Sequence, residues 1–129
     1  MVVTFIKELI DSESISRFEK ENNVIFEKEF VEFFLKNNGG RPEGNICQIS
    51  GLGEKIVNNF LSFNVDDKDN IFKAKKRIEE DVEGAIPFAK DPAGNYYCIL
   101  DRKIVFAMHD SNEIYPVCDT FSEFLEMVH

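Results

Sequence analysis

The sequence predicts an α+β fold, with a largely antiparallel sheet of about six strands and helices packed against it. Three observations lead to this prediction. The chain has 129 residues, which suit one hydrophobic core and are too few for two. Short strand-like segments are mixed with helical ones, without the regular alternation of a parallel sheet. Glycine and proline stand singly between these segments, so we expect residues 1–129 to form one domain.

Two helices are predicted near the start of the chain. Apolar residues recur at helical spacing in residues 2–10, which predicts a short first helix. Residues 14–21 predict a second helix, and Ser16 and Glu19 have the spacing of a capping box.

A phenylalanine-rich segment, residues 27–40, has the clearest helical pattern. Gly39 and Gly40 stand at its end, where glycine can take the left-handed conformation that stops a helix. A phenylalanine stripe at this spacing is typical of a helix packed on a core. The stripe consists of Phe26, Phe30, Phe33 and Phe34, and the opposite face carries Glu27, Glu29 and Glu32.

The middle of the chain predicts two strands and a third helix. Residues 45–50 and 56–64 are short apolar segments rich in branched and aromatic side chains, which favour strands. Residues 66–81 return to helical spacing, and three aspartates lie near the N-terminal end of this segment, where the helix dipole stabilises negative charge.

A well-specified hairpin is predicted over residues 86–101. In the turn sequence Asp91-Pro92-Ala93-Gly94, the carboxylate accepts hydrogen bonds, proline fixes φ and glycine supplies a positive φ. Side chains after the turn are expected to alternate between the two faces of the sheet. Tyr96 and Tyr97 therefore point to opposite sides.

Two more strands and a closing helix complete the predicted fold. Residues 103–109 and 113–117 have strand patterns, and Pro116 places the second strand at a sheet edge because it has no N–H to donate. Residues 118–129 have helical periodicity, with a threonine and a glutamate at capping-box spacing.

Four of these segments, in this order, resemble the SUKH superfamily, which includes yeast cell-wall-assembly and killer-toxin-resistance regulators and many bacterial immunity proteins. They are the helix with Phe18-Glu19, the helix ending in Asn38-Gly39-Gly40, the hairpin at residues 86–101 and the helix at residues 119–128. The resemblance covers about residues 14–128. Phe26 departs from it, because many relatives have proline just before the phenylalanine-rich helix.

The resemblance implies a six-stranded or similar α+β domain without catalytic activity. For bacterial members it implies neutralisation of a cognate toxin, commonly a nuclease. No catalytic residue is carried over, because the superfamily has no invariant catalytic set. The alternative under the same resemblance is a signalling or scaffold module of the yeast-regulator type, which binds cellular proteins without any toxin.

The composition favours a cationic protein partner over nucleic acid. The chain has 15 Lys and Arg against 24 Asp and Glu, for a formal net charge of −9. Such a surface repels a phosphate backbone, which proteins bind through Lys and Arg, and it speeds association with basic partners. The same charge would keep the chain in solution whatever its partner.

The sequence predicts no cofactor, no metal site and no membrane contact. The cysteines, Cys47, Cys98 and Cys118, lack paired spacing and have no histidine at ligand spacing. Their odd number fits a reducing compartment, and no apolar run approaches the roughly 20 residues of a membrane span. We therefore expect a cytoplasmic protein.

One enzymatic arrangement is conceivable from the sequence. It places Cys98 and Asp101 beside His109 and Asp110 on neighbouring strands, where a Cys/His pair could form an activated thiolate. Cys98 alternates with apolar neighbours, however, and no oxyanion signature accompanies the pair. We therefore predict that the protein is not an enzyme.

Acidic side chains and tyrosines near the ends of the sheet are the predicted partner-binding residues. Interface centres are enriched in tyrosine, and charges at the rim steer association. The leading hypothesis is an immunity protein that covers the cleft of a basic toxin, such as a nuclease domain; the oligomeric state is not predicted. The residues are Glu79, Glu80, Asp81, Glu83, Asp91, Tyr96, Tyr97, Asp110, Glu113 and Tyr115.

Overall fold

The computed structural model describes residues 1–129 and contains four helices and nine strands. The helices are α1 (Ser14–Asn22), α2 (Lys28–Asn37), α3 (Ile71–Glu79) and α4 (Phe121–Met127). The strands are β1 (Val3–Thr4), β2 (Arg41–Pro42), β3 (Ile46–Ile49), β4 (Gly53–Ile56), β5 (Asn59–Phe60), β6 (Ile86–Lys90), β7 (Tyr96–Leu100), β8 (Lys103–Ala107) and β9 (Ile114–Cys118).

Five antiparallel strands form the main sheet, in the order β5-β6-β7-β8-β9. The predicted α+β class with a largely antiparallel sheet is confirmed. The main sheet has five strands because β3 and β4 pair with each other, and β1 pairs with β2, in two separate ladders. Ile46 of β3 also exchanges two backbone hydrogen bonds with His129.

The phenylalanine stripe of α2 lies at the centre of the core, as predicted. Phe30 is fully buried, and its ring centroid lies between 4.2 and 6.4 Å from those of five other phenylalanines. These rings come from the segment before α2, from α2 itself, from the chain after β5, from β6 and from α4, so one side chain joins five parts of the fold. They are Phe26, Phe34, Phe63, Phe88 and Phe121.

The hairpin turn between β6 and β7 has the predicted structure. Asp91 Oδ1 accepts hydrogen bonds from the backbone N–H groups of Ala93 (2.9 Å) and Asn95 (2.8 Å). Gly94 has a φ of 89°, in the left-handed region that glycine adopts freely. The turn therefore fixes the register of β6 against β7.

The two faces of the sheet are covered by different helices. Tyr97 of β7 and Phe88 of β6 pack against Phe124 of α4, with centroid distances of 5.4 and 5.1 Å. Cys98, the next residue after Tyr97, points to the opposite face, where α3 packs against β6. The sheet thus lies between α3 on one side and α2 and α4 on the other.

The predicted helix over residues 2–10 does not form. Val3 and Thr4 form β1 instead, and the backbone beyond them is held by amide side chains from distant parts of the chain. Asn38 Nδ2 donates to the carbonyl of Lys7 (2.8 Å), and Asn64 Nδ2 donates to the carbonyl of Glu8 (2.8 Å). These long-range bonds override the local helical periodicity.

The predicted capping box of α1 is also wrong, whereas α4 begins with its predicted cap. Ser16 lies inside α1, and the Glu19 carboxylate accepts the backbone N–H of Phe26 (2.8 Å) instead of capping its own helix. At α4 the hydroxyl oxygen of Thr120 accepts the backbone N–H of Glu123 (3.1 Å).

Replacing Phe30 with alanine should lower the free energy of unfolding by about 3–5 kcal/mol, because it opens a cavity where five aromatic rings meet. Urea denaturation followed by circular dichroism measures the loss. As a control, Ile25→Ala, at a side chain that is 93% exposed, should change stability by less than about 0.5 kcal/mol. Similar losses in the two variants would contradict the central role of Phe30.

Candidate partner-binding surface

The ten predicted binding residues fall into three separate places in the structure. Four acidic residues lie at the end of α3 and in the turn that follows it. Two acidic residues and one tyrosine lie at the turn between β8 and β9. The other three residues lie inside the molecule or in its hairpin turn. The sequence could not separate these groups, because their placement depends on strand register.

The acidic residues after α3 are exposed, but they follow a basic stretch of the same helix. Glu79 forms an ion pair with Lys75, which holds the pKa of the Glu79 carboxyl below its usual value. The Gly84 N–H also donates to this carboxylate (3.2 Å). Four basic residues precede four acidic ones, so the field of this segment is largely cancelled: Lys73, Lys75, Lys76 and Arg77 are followed by Glu79, Glu80, Asp81 and Glu83.

Asp91, Tyr96 and Tyr97 are buried, which corrects their assignment to an exposed binding set. Tyr97 is fully buried, its hydroxyl donates to the carbonyl of Ile56 (3.1 Å), and burial raises the pKa of its phenol. Tyr96 is 6% exposed, and Asp91, 4% exposed, holds the hairpin turn. A partner does not reach these side chains in this conformation, so their role is to stabilise the hairpin.

The turn between β8 and β9 presents the remaining predicted residues on the surface. Asp110 and Glu113 are exposed, and neither forms an ion pair within the chain. The hydroxyl of half-buried Tyr115 donates to Glu113 Oε2 (2.9 Å), and this bond raises the pKa of the tyrosine. Tyr115 is thereby held beside a carboxylate that has no ion-pair partner.

Strand register places the two exposed acidic groups at opposite ends of the sheet. Ile86 pairs with Ile99 at the end of β6 that follows α3. Lys90 pairs with Tyr96, which pairs with Ala107, at the end that carries the turn between β8 and β9. A strand of this length separates its ends by more than about 13 Å. The predicted residues therefore do not form one continuous surface.

Two apolar residues that the sequence analysis did not select extend the second group. Ile114 is 40% exposed and Pro116 is also exposed, and both belong to β9 at the edge of the main sheet. The sequence analysis selected only acidic residues and tyrosines and therefore missed them. The alternation of side chains in an edge strand could have indicated that both are exposed. We call the set Asp110, Glu113, Ile114, Tyr115 and Pro116 the β9 surface.

The proposed Cys/His arrangement is not formed. Cys98 pairs with Val105 in the middle of the sheet, whereas His109 lies beyond the end of β8 with its backbone N–H on Asn95 Oδ1 (3.0 Å). Asp101 lies in the turn at the other end of β7. Sequence reasoning placed these residues on neighbouring strands but could not fix how far apart they lie along them.

Burial disfavours the thiolate at every cysteine. It raises the pKa of Cys47 to about 11 and that of Cys118 to about 12, and it also raises the pKa of Cys98. A reactive cysteine requires the opposite shift.

No cluster of three or more His, Cys, Asp or Glu residues is placed to hold a metal ion. None of the four helices combines the length and apolar character needed to span a membrane.

Comparison with known proteins gives one family match. The model of the SMI1 / KNR4 family (SUKH-1) matches residues 9–127. This segment contains all four helices and every strand except β1. A search of curated proteins finds no match.

Tyr97→Phe should lower the free energy of unfolding by about 1 kcal/mol, because the carbonyl of Ile56 loses its donor. Tyr115→Phe removes a hydroxyl bonded to an exposed carboxylate and should change stability by less than about 0.5 kcal/mol. Urea denaturation of both variants makes the comparison. A larger effect at Tyr115 would contradict the different roles assigned to the two tyrosines.

The native thiols should react with iodoacetamide at pH 8 more than about a hundredfold more slowly than a free cysteine, because raised pKa values leave little thiolate. The rate should rise about tenfold with each pH unit, since the thiolate fraction rises in this way below the pKa. The chain in concentrated urea is the control and should react at the free-cysteine rate. A native thiol that reacts at the free-cysteine rate at pH 7 would contradict this prediction.

Proposed function

Because this chain belongs to the SMI1 / KNR4 family (SUKH-1), we propose that it is an immunity protein that binds and neutralises a cognate toxin with a basic domain. The wider SUKH superfamily includes both toxin-immunity proteins and regulators of the SMI1/KNR4 type. The single observation that favours the immunity role is the unpaired negative charge of the surface. Only five ion pairs form in a chain with 24 acidic residues.

The proposed contact is the β9 surface. In this edge strand Ile114 and Pro116 present exposed apolar area on one face and the ring of Tyr115 lies on the other, while two carboxylates without ion-pair partners, Asp110 and Glu113, lie in the turn before it. Protein interfaces have this composition, with apolar and aromatic side chains at the centre and charges at the rim. The acidic residues after α3 are the weaker candidate, because neighbouring lysines and an arginine offset their charge.

Inhibition would require no chemistry from this chain. A nuclease binds its substrate through a cationic cleft, and carboxylates that enter the cleft take the place of the phosphates. The net charge of −9 accelerates the encounter with such a cleft, and apolar contacts slow dissociation. On this proposal the protein is not an enzyme and acts in the cytoplasm, where its three free cysteines stay reduced.

Co-expression with the product of the adjacent gene tests the function. The wild-type chain should restore growth of cells that express this product and should co-purify with it, more weakly at high salt than at low salt. An absence of both protection and a complex would overturn the proposal. A set of endogenous partners, with no toxin among them, would instead support the regulator-type alternative.

Paired charge variants test which end of the sheet makes the contact. Asp110→Asn combined with Glu113→Gln should weaken toxin binding about tenfold at low salt, because two carboxylates lose their charge without a change of shape. Glu80→Gln combined with Asp81→Asn removes the same charge at the other end and should change affinity less than about threefold. Isothermal titration calorimetry measures both. A larger loss of affinity in the Glu80→Gln and Asp81→Asn variant would indicate instead that the toxin contacts the end of α3.

A further inference from the structure

Two neighbouring turns at one end of the main sheet are joined by a single buried side chain. The first turn, at residues 91–95, connects β6 to β7, and the second, at residues 108–113, connects β8 to β9. Tyr96 pairs with Ala107, so both turns extend from the same end of the sheet. Asn95, which is 5% exposed, lies between them.

Both ends of the Asn95 side chain form hydrogen bonds, one to each turn. Its Nδ2 donates to Asp91 Oδ2 (2.9 Å) in the first turn, and its Oδ1 accepts the backbone N–H of His109 (3.0 Å) in the second. No other hydrogen bond joins the two turns. We call these two contacts the Asn95 bridge.

The first turn is closed without the bond to His109. Asp91 Oδ1 accepts the backbone N–H groups of Ala93 and Asn95, and the N–H of Asp91 donates to the carbonyl of Asn95 (3.0 Å). Gly94 supplies the positive φ that the turn requires. The bond to His109 adds nothing to this turn, so its effect falls on residues 108–113.

The second turn has few bonds of its own. The N–H of Met108 donates to the carbonyl of Glu113 (2.9 Å), and the N–H of Asn112 donates to the carbonyl of Met108 (3.0 Å). Asn112 has a φ of 58°, in the left-handed region. The bond from the N–H of His109 is the only hydrogen bond between this turn and a part of the chain outside β8 and β9.

The ring of His109 also lies beside the first turn. A Cβ added at Gly94 would lie 3.7 Å from Cδ2 and Nε2 of His109, which is the distance of ordinary van der Waals contact. Both the backbone and the side chain of His109 are thus placed against the first turn.

The Asn95 bridge lies next to the two carboxylates of the β9 surface. Asp110 follows His109 directly in the chain. The carbonyl of Glu113 is bonded to Met108, the residue before His109. The backbone position of His109 therefore affects where both carboxylates lie.

On the basis of the proposed function, we propose that Asn95 is a positioning residue for the toxin contact. The Asn95 bridge holds residues 108–113 in place before the toxin arrives, so Asp110 and Glu113 meet the cationic cleft in a fixed arrangement. A preformed contact loses less conformational entropy on binding than a flexible one. Asn95 is itself buried and acts only through the turn.

Hydrogen exchange followed by NMR tests the bridge without the toxin. In the wild type the N–H of His109 should be protected at least about tenfold more than that of Asp110, because only the former is bonded to a buried acceptor. Asn95→Ala should remove this difference. Equal protection of the two amides in the wild type would overturn the proposal.

Calorimetric titration with the toxin tests the consequence for binding. Asn95→Ala should bind about fivefold more weakly than the wild type, because the turn must then be ordered on binding. Tyr97→Phe is the matched control, since it also loses a buried hydrogen bond but lies in the core, and it should bind as the wild type does. An equal loss of affinity in both variants would indicate an effect of stability alone and would overturn the proposal.

A double-mutant cycle separates positioning from a purely structural role. In a chain that already carries Asp110→Asn and Glu113→Gln, adding Asn95→Ala should weaken binding less than about twofold, because the charges that Asn95 positions are absent. A structural role would give the same loss with and without the two carboxylates. A fivefold loss in this background would therefore overturn the proposal.

A second variant covers the case in which Asn95→Ala does not fold. Asn95→Ser keeps a hydroxyl that can donate to Asp91, but its side chain is one bond too short to bridge both turns. It should fold and lose toxin affinity as predicted for Asn95→Ala. Wild-type affinity in Asn95→Ser, together with loss of the protection of the His109 N–H, would overturn the proposal.

The failure of this proposal is distinct from the failure of the proposed function. If the wild-type chain neither binds the toxin nor protects against it, the immunity role itself fails. If the wild type binds and protects, and Asn95→Ala does so equally well, the immunity role stands and the positioning role of Asn95 is overturned.

Discussion

The aromatic contacts around Phe30 hold the fold together. Rings from α2, α4, β6 and the segment after β5 meet at this side chain, so each element is positioned by the same cluster. A cluster of this kind is formed by residues far apart in sequence, and its stability comes from burial and from edge-to-face ring contacts. The sheet is consequently fixed on one face by phenylalanines, and its strands cannot shift register without separating them.

This constraint decides which parts of the surface are free for function. The central strands are covered by α3 on one face and by α2 and α4 on the other, which is why Tyr97 became a core residue. Only the ends and edges of the sheet remain accessible. The β9 surface lies at one edge, where the chain can place charge and exposed apolar area without disturbing the core.

Local signals in the sequence predicted much of the fold, and long-range contacts account for what it missed. The turn at Asp91 and the cap at Thr120 depend on bonds between residues a few positions apart, so the sequence contains all the information they need. The path of residues 7 and 8 depends on Asn38 and Asn64, more than thirty positions away, and no periodicity reveals such bonds. The candidate site divides in the same way: composition predicted acidic residues, but strand register decided which of them lie together.

Pro116 in the outermost strand determines how this edge can be recognised. A proline has no N–H with which to hold an added strand at that position, so the edge is a poor template for main-chain pairing and for sheet-to-sheet aggregation. On the proposed function, recognition at this position of β9 therefore depends on side chains and not on main-chain pairing. On the same proposal, a few substitutions at the exposed positions of β9 could change which toxin the protein binds, while the fold underneath stays the same.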